Sequence, residues 1–398
     1  MVLAKLTSAE EVGRFALGLA VTAPVMIAAC MQLRVVQATD ARGDYDFGAY
    51  LGLRLVTTSL ALLAIGAIAL TAGYPPAMLY LIMLIAAAKA FEAVSDIIFG
   101  LLQHHHDLRR VAVSMLTKGM LSVASVACTL WLTGSVAWAT LSMAAAWGTV
   151  LAFYDLPAAR LLAMIRPLLR PTRLAHLAWL ALPMGLVAGL QSLMTNVPRY
   201  AVEAHAGTRA LGHFAAIAFL VLAGNQPVMA LWAALSPRLA ELFVADRAAY
   251  RRLSRRAVLL AVGMGVATVG GAVLLGPAIL TLVYAPEYAA HADVLVWLCV
   301  VAAVGYVTSA FCCSITAARR FSEQLVVAAL TLAVSWLASR LLVPRFGLVG
   351  AAWALLAATA TQTACLAMIY RLVSSEDAPG EPAACVTLDA QPTGTVTP

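Results

Sequence analysis

Residues 50–71 read YLGLRLVTTSLALLAIGAIALT, a run with a single charge, Arg54. A run this long and apolar on all sides carries a helix across a hydrocarbon core about 30 Å thick, and it lacks the alternation over about ten residues of a barrel strand. Similar runs occupy residues 13–33, 77–100, 111–134, 136–155, 177–205, 210–234, 257–283, 291–314, 325–343 and 347–370. The chain therefore reads as an all-α polytopic membrane protein of about eleven transmembrane helices. Composition agrees: of 398 residues, 63% are apolar and 11% charged, against about 25% charged in a soluble domain. An ordinary soluble enzyme is excluded. The first run has no small-residue cleavage site and ten more follow it, so it does not read as a cleaved signal peptide. Seven cysteines lie mostly within apolar runs, without disulfide or zinc spacing, and read as small hydrophobes.

The basic residues alternate between loops. After the first run and every second one thereafter come Arg34 and Arg42; Arg109 and Arg110; Arg160, Arg166, Arg170 and Arg173; Arg238, Arg247, Arg251, Arg252, Arg255 and Arg256; Arg319 and Arg320; and Arg371. The opposite side holds only Lys5, Arg14, Arg199, Arg209, Arg340 and Arg345. The positive-inside rule makes the richer side cytoplasmic, with the N-terminus outside and the C-terminus inside. The net charge of +7 thus sets orientation and does not indicate nucleic-acid binding. Residues 373–398, rich in Pro, Thr and Ala, read as a disordered tail.

The chain also repeats itself. Gly13, Phe15 and Ala16 match Gly212, Phe214 and Ala215 at an offset of 199; Tyr50 and Leu53 match Tyr250 and Leu253 at 200. Ala137-Trp138-Ala139 matches Ala352-Trp353-Ala354 at 215, and Tyr154 matches Tyr370 at 216. Collinear matches between segments of the same direction point to a parallel duplication about an axis along the membrane normal. It divides the chain into a five-helix N-terminal lobe (1–155), a basic cytoplasmic linker (156–176) and a six-helix C-terminal lobe (177–372). Since run 13–33 pairs with 210–234, the counterpart of run 177–205 is expected ahead of residue 1.

Gly13 and Phe15, Asn196, Pro198 and Arg199, Pro286-Glu287-Tyr288, and Pro344, Gly347, Leu348, Gly350, Ala351 and Ala352 follow one another in the order and spacing of a known family. Over about residues 1–372 the chain resembles the polysaccharide and oligosaccharide flippase branch of the multidrug/oligosaccharidyl-lipid/polysaccharide exporter superfamily, which includes O-antigen flippases. The resemblance implies twelve helices in two six-helix lobes around a central cavity, both termini cytoplasmic, in a bacterial inner membrane. This sequence departs from it by starting after the first helix.

Charges at membrane depth cost at least about 2.5 kcal/mol each on insertion scales, so those retained face a cavity or a partner. Lys89, Glu92 and Asp96 form one stripe, flanked by Ser95. Lys118 on the next helix stands at a depth that reaches Glu92. Glu92, Asp96 and Lys118 are therefore candidates either for ion coupling or for a structural ion-pair network. Ser192, Thr195, Asn196, Arg199 and Glu203 fall at i, i+3, i+4, i+7 and i+11, a polar face loosened by Pro198; Arg199 could instead snorkel to the outer headgroups. Asn225 and Gln226 precede Pro227 and either bind sugar hydroxyls or bond across to the preceding helix. A lipid-linked oligosaccharide brings a diphosphate and many hydroxyls, and a guanidinium suits phosphate through two parallel hydrogen bonds. The substrate-path candidates are Arg199, Asn196, Thr195, Ser192, Asn225, Gln226, Lys89 and Arg54, although Arg54 lies near enough to its helix start to face lipid phosphates.

Other motifs are set aside. Asp44-Tyr45-Asp46 imitates a metal-binding DxD but stands alone, and His104-His105-His106 are adjacent residues that do not face one ion together. Gly185 and Gly189 form a GxxxG, the mark of close helix packing. There is no P-loop and no Ser/His/Asp set, so neither catalysis nor a cofactor or metal is expected. The expected activity is alternating-access flipping of a polyprenyl-diphosphate-linked oligosaccharide for polysaccharide or lipopolysaccharide biosynthesis. Expected partners are that lipid, membrane lipids and other polysaccharide-assembly membrane proteins. The alternative is a drug or cation exporter of the same superfamily. A membrane-embedded polymerase or ligase ranks third, because the longest outer connection has only about a dozen residues.

Overall fold

The computed structural model describes residues 2–40, 43–317 and 322–375. Arg42, Arg319, Arg320, Cys385 and the tail from residue 376 lie outside the described residues. The helices are α1 Val2–Leu6, α2 Ala9–Cys30, α3 Leu33–Ala38, α4 Phe47–Thr71, α5 Pro76–His104, α6 Leu108–Thr133, α7 Val136–Val150, α8 Leu156–Arg160, α9 Pro171–Gly224, α10 Gln226–Ala245, α11 Arg247–Val283, α12 Pro286–Ala289, α13 Ala292–Ala317 and α14 Ser322–Ser375. A π turn, Leu151–Asp155, joins α7 to α8. Among the described residues there is no strand. Helix starts follow local chemistry: Ser8, Asp107 and Asp246 accept from the backbone N–H three residues on, and Pro76, Pro171 and Pro286 open helices whose first N–H would be unpaired anyway.

Among the described residues, nine helical stretches are long and apolar enough to cross a membrane, and two of them cross twice. α9 and α14 have 54 residues each, about 80 Å if straight. Each instead breaks at one glycine in a conformation closed to other residues: Gly207 (φ 82°, ψ 171°) and Gly347 (φ 56°, ψ −128°). The Arg199 guanidinium lies 5.3 Å from the ring centre of Phe219, although a straight helix would separate them by about 30 Å. A Cβ on Gly350 would strike the Leu342 carbonyl, about 12 Å away along a straight helix. Both helices fold back on themselves. The eleven crossings so produced are the eleven apolar runs.

The boundaries shift in places. Run 136–155 continues through the π turn and α8 to Arg160, and α9 already begins at Pro171, so the expected linker is coil only in its middle. There the Leu168 N–H donates to the Gly48 carbonyl at 2.8 Å, which pins the segment onto α4. Run 210–234 is interrupted at Asn225, between α9 and α10. α14 runs to Ser375, so the first three residues of the expected tail are helical.

The repeat has a physical signature where α2 meets the second half of α9. A Cβ on Gly13 would strike the Thr208 carbonyl, and one on Gly212 the Ala9 carbonyl; each would also lie 3.0 Å from the other glycine's nitrogen. Adding 199 to Ala9 and Gly13 gives Thr208 and Gly212. The contact therefore maps onto itself, as a two-fold axis along the membrane normal requires. Two small-xxx-small pairs let the backbones touch. The Gly185/Gly189 motif packs as expected, against Met31 and Ala28 of the α2 end.

Candidate functional site

α5 carries the charged stripe into the bundle. Lys89, Glu92 and Asp96 face Ala23, Met26 and Cys30 of α2 across a cavity of about 300 Å³. Lys89 Nζ meets Glu92 at 2.6 Å and lies 5.5 Å from the Trp147 ring centre. Asp96 is shared by two arginines. Arg54 Nη2, from α4, donates to Oδ2 at 3.0 Å, and Arg34 Nη1, from α3, lies 3.6 Å from Oδ1. Arg54 is fully buried, so it does not face lipid phosphates. Its Nε and Nη1 have no hydrogen-bond partner among the described residues. Three cations and two carboxylates thus share this part of the membrane interior.

Lys118 does not pair with Glu92. Its ammonium sits 2.6 Å from Asp155 Oδ2, and Ser114 Oγ donates to Asp155 Oδ1 at 2.5 Å. The π turn inserts an extra residue's worth of rotation and carries Asp155 into the protein at 0% exposure. α6 accordingly turns Lys118 away from the stripe, with the Phe99 ring 4.9 Å from Lys118 Nζ and 5.6 Å from the Arg34 guanidinium. Sequence reasoning missed Asp155; the available signal was its depth, since it ends the very run that follows the one carrying Lys118. It also missed Arg34, which looks like a loop charge.

The polar face of α9 is largely satisfied within its own helix. Asn196 Nδ2 donates to the Ser192 carbonyl at 2.8 Å, as does Thr195 Oγ1 at 2.8 Å, and Arg199 Nη1 donates to Asn196 Oδ1 at 3.0 Å. Asn196 is buried, Ser192 and Arg199 half-buried, and Thr195 exposed, so these side chains do not form one wet wall. Arg199 rests on Phe219 inside the hairpin instead of reaching for headgroups. Asn225 accepts from the Tyr306 hydroxyl of α13 at 2.7 Å, not from the preceding helix, and the exposed Gln226 donates to the Leu222 carbonyl at 3.3 Å. The Tyr306 partner was invisible in the sequence.

A larger cavity, about 670 Å³, opens at the other end of α2, between its N-terminus and the α4–α5 and α6–α7 turns. Glu10, Glu11, Arg14 and Glu203 supply its charges and Tyr74 a phenol. Arg14 bridges Glu10 at 2.8 Å and Glu11 at 2.7 Å, leaving an acidic excess. Burial, with the Glu203 carboxylate nearby, holds the Tyr74 phenol above its usual pKa, so it remains a donor.

The other motifs are held locally. Asp40 accepts from the backbone N–H groups of Asp44 and Tyr45 and from the Tyr50 hydroxyl. Burial opposes its ionisation, but these bonds outweigh it and hold the carboxyl below the usual range. Asp46 lies 3.7 Å from Arg173, and Tyr45 bonds His176. His105 Nδ1 turns back to the Leu101 carbonyl at 3.0 Å. Among the described cysteines no two are joined by a disulfide.

No family model matches the chain. A capsular polysaccharide biosynthesis protein of Staphylococcus aureus, CapF, is 23% identical over 359 residues, covering 88% of this chain and 89% of its own. The inward-facing structure of a multidrug resistance MATE family transporter of the MOP superfamily superposes with a TM-score of 0.72 at 14% identity, over 92% of this chain and 93% of that one. The lipid II flippase MurJ, in an inward closed conformation, also gives a TM-score of 0.72, at 12% identity over 94% and 86%. The architecture of this multi-pass membrane protein is that of the MOP-superfamily transporters.

Proposed function

We propose, with the MOP-superfamily fold as premise, that this chain flips a polyprenyl-diphosphate-linked oligosaccharide across the bacterial inner membrane by alternating access. The moving bodies are residues 1–155 and 177–372, with residues 156–176 as the basic linker on the cytoplasmic side. Such a carrier is needed because glycan hydroxyls left unpaired in hydrocarbon cost several kcal/mol each. The observation that carries this reading is Arg54: a guanidinium buried in the membrane interior, tied by one nitrogen to Asp96 and with two nitrogens unfilled. With Arg34 and Lys89 it makes a cationic cluster suited to a diphosphate. Asp96, held between two arginines, and Glu92, paired with Lys89, are the acids through which an ion would couple. Kinship with a capsular polysaccharide biosynthesis protein supports a polysaccharide precursor as the substrate.

A second reading has one observation in its favour. The cavity of about 670 Å³ carries three carboxylates against one arginine, which suits a cation and therefore a drug or cation exporter.

The purified protein in liposomes separates the two. A fluorescent diphosphate-linked oligosaccharide should change leaflets and a cationic dye should not. The R34Q/K89Q variant should lower flipping about tenfold or more, the scale of losing one charge-assisted phosphate contact. Dye movement without glycolipid movement would overturn the flippase reading in favour of the exporter.

A further inference from the structure

We infer that the chain carries a second anion site, apart from the charged stripe, which holds the phosphate of an anionic lipid headgroup at the start of α11. This helix has 37 residues, about 55 Å, where about 20 residues span a bilayer. Its first turns therefore stand at the membrane surface, on the side proposed as cytoplasmic. There Arg251, Arg252 and Arg255 of α11 and Arg371 of α14 ring a cavity of about 440 Å³ whose lining, among the described residues, holds no carboxylate. Among the described residues, no carboxylate comes within 4.0 Å of Arg252 or Arg255. Arg252 and Arg255, with no acid in reach among the described residues, repel one another, and an anion between them removes that repulsion.

The cavity has a firm apolar floor. Phe311 and Tyr370 stand 5.5 Å apart, beside Val258 and Ala367. Buried Tyr250 donates to the Ser314 carbonyl at 3.0 Å, and the Ser314 and Ser254 hydroxyls meet at 3.2 Å. These bonds clamp the arginine-bearing turn to the end of α13. Further along α11, Leu259, Val262 and Val266 are exposed, so a lipid-facing track leads from the cationic rim into hydrocarbon. A phosphate with an acyl or prenyl tail fits both parts, whereas a free anion would use only the rim.

The first half of the repeat shows that this pocket is not a general result of basic loops. Tyr50, the counterpart of Tyr250, gives its hydroxyl to Asp40 at 3.1 Å. The described residues lining the cavity beside it, about 190 Å³, include Asp40 and no arginine.

The test counts lipids retained by the full-length protein in neutral detergent, by native mass spectrometry, during titration with phosphatidylglycerol, phosphatidylcholine or inorganic phosphate. Phosphatidylglycerol should bind about tenfold more tightly than phosphatidylcholine, about 1.4 kcal/mol. R252Q and R255Q should each remove part of this preference and R252Q/R255Q all of it, whereas R160Q, an exposed arginine elsewhere on the same side, should keep it. Equal preference in wild type and R252Q/R255Q overturns the site. Displacement of bound phosphatidylglycerol by millimolar inorganic phosphate overturns the lipid as its occupant.

Discussion

Asp96 and Asp155 show how surroundings divide two carboxylates of similar depth between different tasks. Asp96 keeps 31% of its side chain exposed beside a cavity and is shared by Arg34 and Arg54. Asp155 is wholly buried, with its two oxygens taken by Lys118 and Ser114. With Asp155 wholly buried and Lys118 nearly so, we propose that this pair takes the structural side of the choice the sequence left open. Removing one partner of such a pair strands the other charge. D155N should therefore destabilise the protein by about 3 to 5 kcal/mol in detergent unfolding followed by circular dichroism, while K118M/D155L should recover most of the loss. A D155N protein that unfolds like wild type would contradict the structural role.

Single glycines decide the long helices. Hydropathy alone finds two apolar runs around Gly207 and two around Gly347; the backbone shows that no separate loop joins them, only one residue in a conformation that a side chain resists. G347A should cost about 1 to 3 kcal/mol in the same unfolding assay. G270A, in α11 with open space around it, should leave stability unchanged or slightly raised, since alanine is the better helix former. Equal effects would mean that the turn at 347 tolerates a Cβ. Glycine in an apolar run was legible as a possible break, but the run pattern could not show whether it bends the chain, as Gly347 does, or lets another helix approach, as Gly13 does.

At the scale of the molecule, the self-mapped contact of Gly13 and Gly212 brings the two halves of the chain together at their shared axis. The orientation proposed from the uneven arginines makes a test: alkaline phosphatase fused after Gly134 should be active and after Ile165 inactive, and green fluorescent protein fused after Ser375 should fluoresce. The opposite pattern would invert every assignment of side. The number and order of the crossings were determined by the sequence alone, because apolar runs and collinear repetition are properties of the chain read locally. The GxxxG contact was legible for the same reason. Which charges meet was decided only in three dimensions. Helical periodicity places Lys118 and Glu92 on faces of their own helices, but a neighbour's rotation and height, amounting to a few ångströms, determine whether Glu92 or Asp155 is the partner. The same few ångströms put Arg34 on Asp96 and Tyr306 on Asn225. Ion pairs and hydrogen bonds decay over that distance, whereas hydrophobic burial does not discriminate so finely.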